Sequence, residues 1–224
     1  MIQSEDVPLW DNARKGVEPA TLWKQPAPEL LLRAEEQWRG WMEGVAAINA
    51  NRGLGMQLPF TYAHWPWGYI AVRASKSLRE EVYAVTRITD AGTRKERMWV
   101  EGMMHLSTYE HPCVADSHKG KPGIYLDLIA TAPWNLPGVL TPPRFKFVGA
   151  ILMRQAIDVS RDLGFKGRIG LHSLDDAAAF YRKVGMVSLG RDPKKQDLEY
   201  FELEEAAAEA FYPSEGTDDE KDPA

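Results

Sequence analysis

The sequence predicts a mixed α/β (α+β) chain, with a central mixed β-sheet flanked by helices and an N-terminal helical, tryptophan-rich extension. Three observations lead there. Short runs rich in β-branched and aromatic residues fill residues 68–131. Helical and strand patterns then alternate from about 145 to 203, and such β–α–β units need helices on a sheet with parallel pairing in its second half. Six of eight tryptophans (Trp10, Trp23, Trp38, Trp41, Trp65, Trp67) fall within the first 67 residues. They read as bulky core anchors ahead of the alternative, an aromatic-lined pocket or partner surface.

Residues 1–27 carry Pro8, Pro19 and Pro26 with little periodicity, and read as an extended arm. A helix is predicted over 29–49, where Leu31, Ala34, Trp38, Trp41, Met42, Val45 and Ile48 line one face at helical spacing. Residues 51–55 (NRGLG) end it with turn chemistry, and 59–68 read as a packed aromatic loop. Strands are predicted over 68–73, 81–88, 97–108 and 124–131, with 90–92 (DAG) at a hairpin tip. After the proline-rich stretch 133–143, a helix is predicted over 145–163. Val148, Ile151, Leu152, Ala156, Val159 and Leu163 hold its period, and Gly164 stands at its stop. A strand over 168–172, a helix over 175–184 ended by Gly185, and strands over 186–189 and 198–203 complete the order. From 214 the chain is acidic, small and polar, and reads as disordered. The expected organisation is 1–67 as arm, helix and aromatic loop packed on a core formed by 68–212, with 213–224 as tail.

Composition removes several classes. No apolar run approaches the roughly 20 residues that cross a bilayer, so no membrane partner is expected. The opening MIQSEDVPLW has no apolar signal core. Cys113 is the only cysteine, which excludes an intramolecular disulfide and any multi-thiolate zinc site. A cytoplasmic location is expected. Twenty-seven basic against 32 acidic residues leave a charge of −5 without a basic stripe, so nucleic acid is not an expected partner. His105, His111, Cys113 and His118 offer zinc-type ligands, but their spacing matches no compact motif and no metal site is expected. His172-Ser173 lacks a G-x-S-x-G elbow. The glycines of 51–55 follow a helix rather than a strand, unlike a dinucleotide-binding turn.

The informative stretch is 124–186. A strand ends, a loop follows, and RFKFVGA (144–150) opens a helix whose first-turn amides lack partners and suit an anion; Arg144 and Lys146 add charge. The order of pieces resembles the acyl-CoA-dependent N-acetyltransferase (GNAT) superfamily. Arg144-Phe145-Lys146-Phe147-Val148-Gly149 matches its cofactor-loop motif. Ala177 through Phe180-Tyr181 to Gly185-Met186 matches its last motif, and Asp127 to Ala130 with Pro133 resembles its fourth strand. The resemblance covers about 124–190; strands at 81–108 fit less specifically, and 1–67 show none.

The resemblance implies a GNAT-like acyltransferase domain over 68–212 with acetyl-CoA as co-substrate. Backbone at Ile129, Ala130 and Thr131 on a splayed strand would pair with pantetheine. The amides of Phe147, Val148, Gly149 and Ala150, beside Arg144 and Lys146, would hold the pyrophosphate. Asp127 stands where the family often has an acid that deprotonates the amine, and alternation places it on one face with Tyr125 and Ile129. Glu101 is the alternative base. Tyr181 would donate to the leaving thiolate. The acceptor is a primary amine, on a small molecule or a protein, and a homodimer is left open. Phe147 replaces the motif's glycine, Phe145 a neighbouring one, and Leu174 an asparagine, while about ten residues separate Pro133 from Arg144. The rival reading keeps the fold as an inactive binding scaffold, its cofactor loop blocked by Phe145 and Phe147.

Overall fold

The computed structural model describes residues 3–51, 65–136 and 139–211. Its chain opens with an antiparallel hairpin, β1 (Gln3–Asp11) and β2 (Gly16–Lys24), where an extended arm is expected from the prolines. Pro8 and Pro19 face each other on one rung. That rung lies outside the pairing of β2 with the next strand (Thr21 to Lys24), so no outer ladder needs the amide hydrogens that proline lacks.

Helix α1 (Pro28–Asn51) follows, burying Leu31, Ala34, Trp38 and Met42 along the predicted face. Residues 68–73, expected as a strand, instead belong to helix α2 (Trp67–Ala74). A short apolar run fits either state. Here burial of Trp67, Ile70, Ala71 and Ala74 follows the helical period, and Glu35 of α1 accepts the Gly68 amide at 2.6 Å. Next come β3 (Glu80–Thr89), β4 (Arg97–Pro112) and β5 (Pro122–Thr131), with residues 90–92 at the β3–β4 turn as expected. Residues 145–146, expected inside a helix, form the short strand β6 (Phe145–Lys146); helix α3 (Val148–Asp162) starts after it. Then follow β7 (Ile169–Ser173), α4 (Ala178–Lys183), β8 (Val187–Asp192), β9 (Leu198–Leu203) and α5 (Glu205–Ala210), the last not expected from sequence. Most of 51–55, residues 59–64 and the tail from 214 lie outside the described residues.

Among the described residues nine strands join one sheet in the order β6-β1-β2-β3-β4-β5-β7-β9-β8, antiparallel except for the β5–β7 crossover. Alternation sorts their side chains onto two cores. One face packs under α3, where Leu152, Met153 and Ile157 are fully buried, each contributing about 1.5–3 kcal/mol. Gly102 permits that approach, since a Cβ there would lie 2.5 Å from Val148 Cγ1. The other face is covered by α1 and α2, but only over β3, β4 and the end of β5. Tryptophans pack there. Trp38 donates to the Val100 carbonyl at 3.0 Å, and Trp41 and Trp99 both meet Trp134 edge to face. Among the described residues no helix is long and apolar enough to cross a membrane.

Candidate functional site

Strands β5 and β7 pair only at Ile124–Ile169 and Tyr125–Gly170, whereas β4 follows β5 to Thr131. Residues 126–131 therefore present one strand edge with no β7 partner. At about 3.3 Å per residue that edge runs roughly 20 Å. It includes Ile129, Ala130 and Thr131. It ends beside the start of α3, because Thr131 pairs with Gly102, and Val148 packs on Gly102.

The entrance to α3 is built from distant pieces. Strand β6 pairs with β1 through Asp11–Phe145 and Trp10–Lys146, and Asn12 holds the carbonyls of Pro143 and Arg144 at 2.5 and 2.9 Å. Phe145 is buried, with the Arg87 and Arg144 guanidinium carbons 4.8 and 5.3 Å from its ring centre. Phe147 is 62% exposed and takes φ 72°, ψ 0° as the N-cap residue. A left-handed geometry natural to glycine is thus adopted by a phenylalanine, at a cost of about 1–2 kcal/mol. Among the described residues no side chain caps the helix, and Ile151 is the first amide to reach back, to the Phe147 carbonyl at 2.9 Å. The amides of Val148, Gly149 and Ala150 thus head an uncapped helix, beside exposed Arg144 and Lys146. Gly149 lets α4 close over this turn, since a Cβ there would sit 3.1 Å from Phe180 Cζ.

Two β-bulges shape the polar side. On β4, Val85 faces Gly102 and Thr86 faces Val100, which leaves Glu101 as the extra residue. On β5, Leu126 faces Leu106 and Leu128 faces His105, which leaves Asp127 as the extra residue. The second bulge corrects the expected alternation. Ile129 turns towards the α3 core, while Leu128 packs under α1 and α2.

Glu101 is 0% exposed and accepts Arg87 Nε at 3.2 Å, Trp134 Nε1 at 2.6 Å and Asn135 Nδ2 at 2.9 Å. Asn135 Oδ1 in turn accepts the Phe145 amide at 3.0 Å. Glu101, the alternative base in the sequence reading, is an enclosed hub that holds the α3 entrance, with three donors on its carboxylate and no exposed surface. Asp127 keeps part of its surface open. Ser107 Oγ donates to it at 2.6 Å, and His105 Nδ1 lies 3.7 Å away, with His105 Nε2 3.0 Å from Glu80. Burial pushes the Asp127 carboxyl above its ordinary value, opposed by the Ser107 bond and by His105.

Tyr181 on α4 is 5% exposed, against Phe180 and Phe201. Burial, then Asp176 and Tyr125, push its hydroxyl well above the usual range, so it stays an O–H donor.

Where β5 and β7 part, the sheet face beyond α1 and α2 carries a second set that sequence reasoning did not assemble. Tyr125 and His172 Nδ1 lie 2.6 Å apart, and His172 Nε2 lies 3.3 Å from Asp192. The carboxylate can only accept, so His172 donates from Nε2 and accepts the Tyr125 hydroxyl on Nδ1. Burial lowers His172 against the opposing pull of Asp192, and raises Tyr125 to about 12. The rings of His111, Tyr125, His172 and Tyr200 stand 4.8–6.1 Å apart in one cluster. The available signal was the period-two placement of Tyr125 beside Asp127; the β7 and β9 partners needed the fold.

Several solved structures follow a similar chain path. A PaiA N-acetyltransferase from Thermoplasma acidophilum in complex with coenzyme A aligns at TM-score 0.47 and 12% identity, covering 91% of this chain and 99% of that one. A bacterial toxin gives 0.48 and 13% over 70% and 82%, and the KacTA–DNA complex 0.43 and 17% over 70% and 84%. No protein-family model and no curated protein matches the chain.

Proposed function

We propose that this chain is a GNAT-type acyltransferase that moves an acetyl group from acetyl-CoA to a primary amine. The parting of β5 from β7 beside the uncapped start of α3 carries the reading. A chain of amides and a diphosphate needs both features. The free β5 edge supplies main-chain partners for pantetheine through Ile129, Ala130 and Thr131. The amides of Phe147 to Ala150, with Arg144 and Lys146, suit the pyrophosphate. Phe145 is locked in the core and Phe147 faces outward, which favours this reading over a blocked scaffold.

The amine must be neutral to attack. Asp127, with its raised carboxyl pKa, takes a proton from the ammonium, directly or through water. The C–N bond forms as the C–S bond breaks, and a second nitrogen proton passes to the departing sulfur. Tyr181 is too weak an acid to surrender its own proton to a thiolate, so its role is a hydrogen bond to the sulfur. Asp127, partly open on the sheet face beyond α1 and α2, would draw a cationic acceptor. A cytoplasmic site of action, where acyl-CoA is held, belongs to the same proposal.

Thermal melting with and without acetyl-CoA tests it, since a ligand at 100 times its Kd adds about 2.7 kcal/mol. The midpoint rises, and amines release free CoA thiol. No shift with any acyl-CoA would leave the scaffold reading in its place.

A further inference from the structure

Behind the ring cluster, the turn between β4 and β5 closes on β9. Cys113 N donates to the Lys121 carbonyl at 2.9 Å, and Gly120 N to the Cys113 carbonyl at 2.7 Å, so 113–121 form a clasped loop. Glu202 of β9, fully buried, accepts the amides of Val114 and Ala115 at 2.7 and 2.9 Å and the Tyr200 hydroxyl at 2.9 Å. Three ligand atoms converge there, since Cys113 Sγ, a ring nitrogen of His118 and a Glu202 oxygen all lie within 4.8 Å of one another, and all three residues are buried.

The histidine makes the cluster more than proximity. His118 is 6% exposed, and its Nε2 has no hydrogen-bond partner although Glu202 Oε2 is 3.2 Å away. On its other side, Nδ1 is 2.8 Å from Ser117 Oγ, and Ser117 donates its one proton to Glu204 at 2.7 Å. Ser117 must therefore accept from His118, which puts the ring proton on Nδ1. In the neutral ring, Nε2 then presents a lone pair to a carboxylate lone pair in a buried site. A proton on Nε2 or a metal ion bound there resolves that. An outer hydrogen bond that fixes one ring nitrogen so the other can bind is the usual support of a metal-bound histidine.

We propose that Cys113 Sγ, His118 Nε2 and Glu202 Oε2 form a binding site for a zinc-class divalent ion. One sulfur, one nitrogen and one oxygen suit zinc or cobalt rather than magnesium or calcium, which take oxygen. Two ligands at about 2.0–2.1 Å on a tetrahedral ion stand roughly 3.3 Å apart, close to the 3.2 Å between His118 and Glu202. Binding forms the metal–sulfur bond and releases the Cys113 proton to solvent, so affinity rises with pH. The ion would pin the 113–121 loop to β9, and through Tyr200 it would steady His111, which lies 2.8 Å from the Tyr200 hydroxyl. His105 and His111 point elsewhere, to Glu80 and Tyr200; the third ligand comes from β9, not from the local run.

Titration of the tag-free, EDTA-treated chain with Co²⁺ and then Zn²⁺ tests the site. One equivalent of cobalt binds with a sulfur-to-cobalt band in the near ultraviolet, zinc displaces it, and zinc raises the melting midpoint. Cys113→Ser abolishes the band, and both Cys113→Ser and His118→Gln weaken zinc at least about tenfold while circular dichroism stays native. Absence of saturable binding, or binding indifferent to Cys113→Ser, would overturn the site. So would a midpoint that zinc leaves alone but that rises on acidification in a His118-dependent way, the mark of a plain imidazolium–carboxylate pair.

Discussion

The bulge on β4 and the bulge on β5 use one local device to opposite ends. Each expels a single acid from the ladder, Glu101 in one case and Asp127 in the other. Glu101 turns into a sealed pocket where Arg87, Trp134 and Asn135 saturate it. Asp127 turns onto a sheet face that α1 and α2 leave uncovered, with Ser107 as donor and a carboxyl pushed upward. A bulge decides where a side chain points. The partners waiting there decide whether it is enclosed by donors or left partly open with a raised carboxyl.

Swapping each acid for its amide should separate the two roles. Glu101→Gln leaves Arg87 buried beside a neutral group, and breaking such a pair costs about 3–5 kcal/mol. Urea unfolding should show that loss, and the surviving folded fraction should keep its turnover per molecule. Asp127→Asn should do the reverse, holding its melting midpoint while turnover falls about 10²–10⁴-fold. If Glu101→Gln lost turnover and kept stability, the assignment would be inverted. Tyr181→Phe comes next in size. Loss of one hydrogen bond to a developing thiolate is worth about 1.5–3 kcal/mol, a roughly tenfold to hundredfold fall in kcat with acetyl-CoA affinity kept.

Neither bulge was legible in the sequence, because a strand pattern of period two carries no mark of one extra residue. The helices α1 and α3 were legible from apolar spacing, and so were β3, β4, β5 and β9. The sequence expected α3 to begin at 145; its start is set instead by the pairing of β6 with β1 and by Asn12 on Pro143, 131 residues apart in sequence. The prolines of β1 and β2 hid a hairpin, since what makes them harmless is the absence of an outer ladder. In α2, Trp67, Ile70, Ala71 and Ala74 already carried the helical period within a run that also suits a strand.

The sheet face beyond α1 and α2 should also carry the acid sensitivity of the fold. Burial lowers His111 and His172, so below about pH 6.5 the unfolded chain takes up protons first, and stability falls as pH drops. Asp127 acts with the opposite sign at lower pH. Its raised value lets the folded chain bind a proton first, so its contribution grows as pH falls through that range. Melting midpoints from pH 7.5 down to pH 5.5 should therefore decline by a few degrees, and His172→Gln should flatten the decline. A slope unchanged by that substitution would place the proton uptake elsewhere.

The smallest effect belongs to Phe147 and bears on the α3 entrance that Glu101 braces. Its left-handed backbone costs about 1–2 kcal/mol for a residue with a Cβ, while glycine there gives back roughly 0.5–1 kcal/mol through the freer unfolded chain. The ring is mostly exposed, so little apolar burial is lost. Phe147→Gly should thus leave the chain within about 1 kcal/mol of the parent, on the stable side. Acetyl-CoA should bind at least as tightly, because the same dihedrals persist and the approach to the amides is cleared. A midpoint lowered by several degrees would mean that the ring, not the Glu101 hub with β6, holds the entrance in shape.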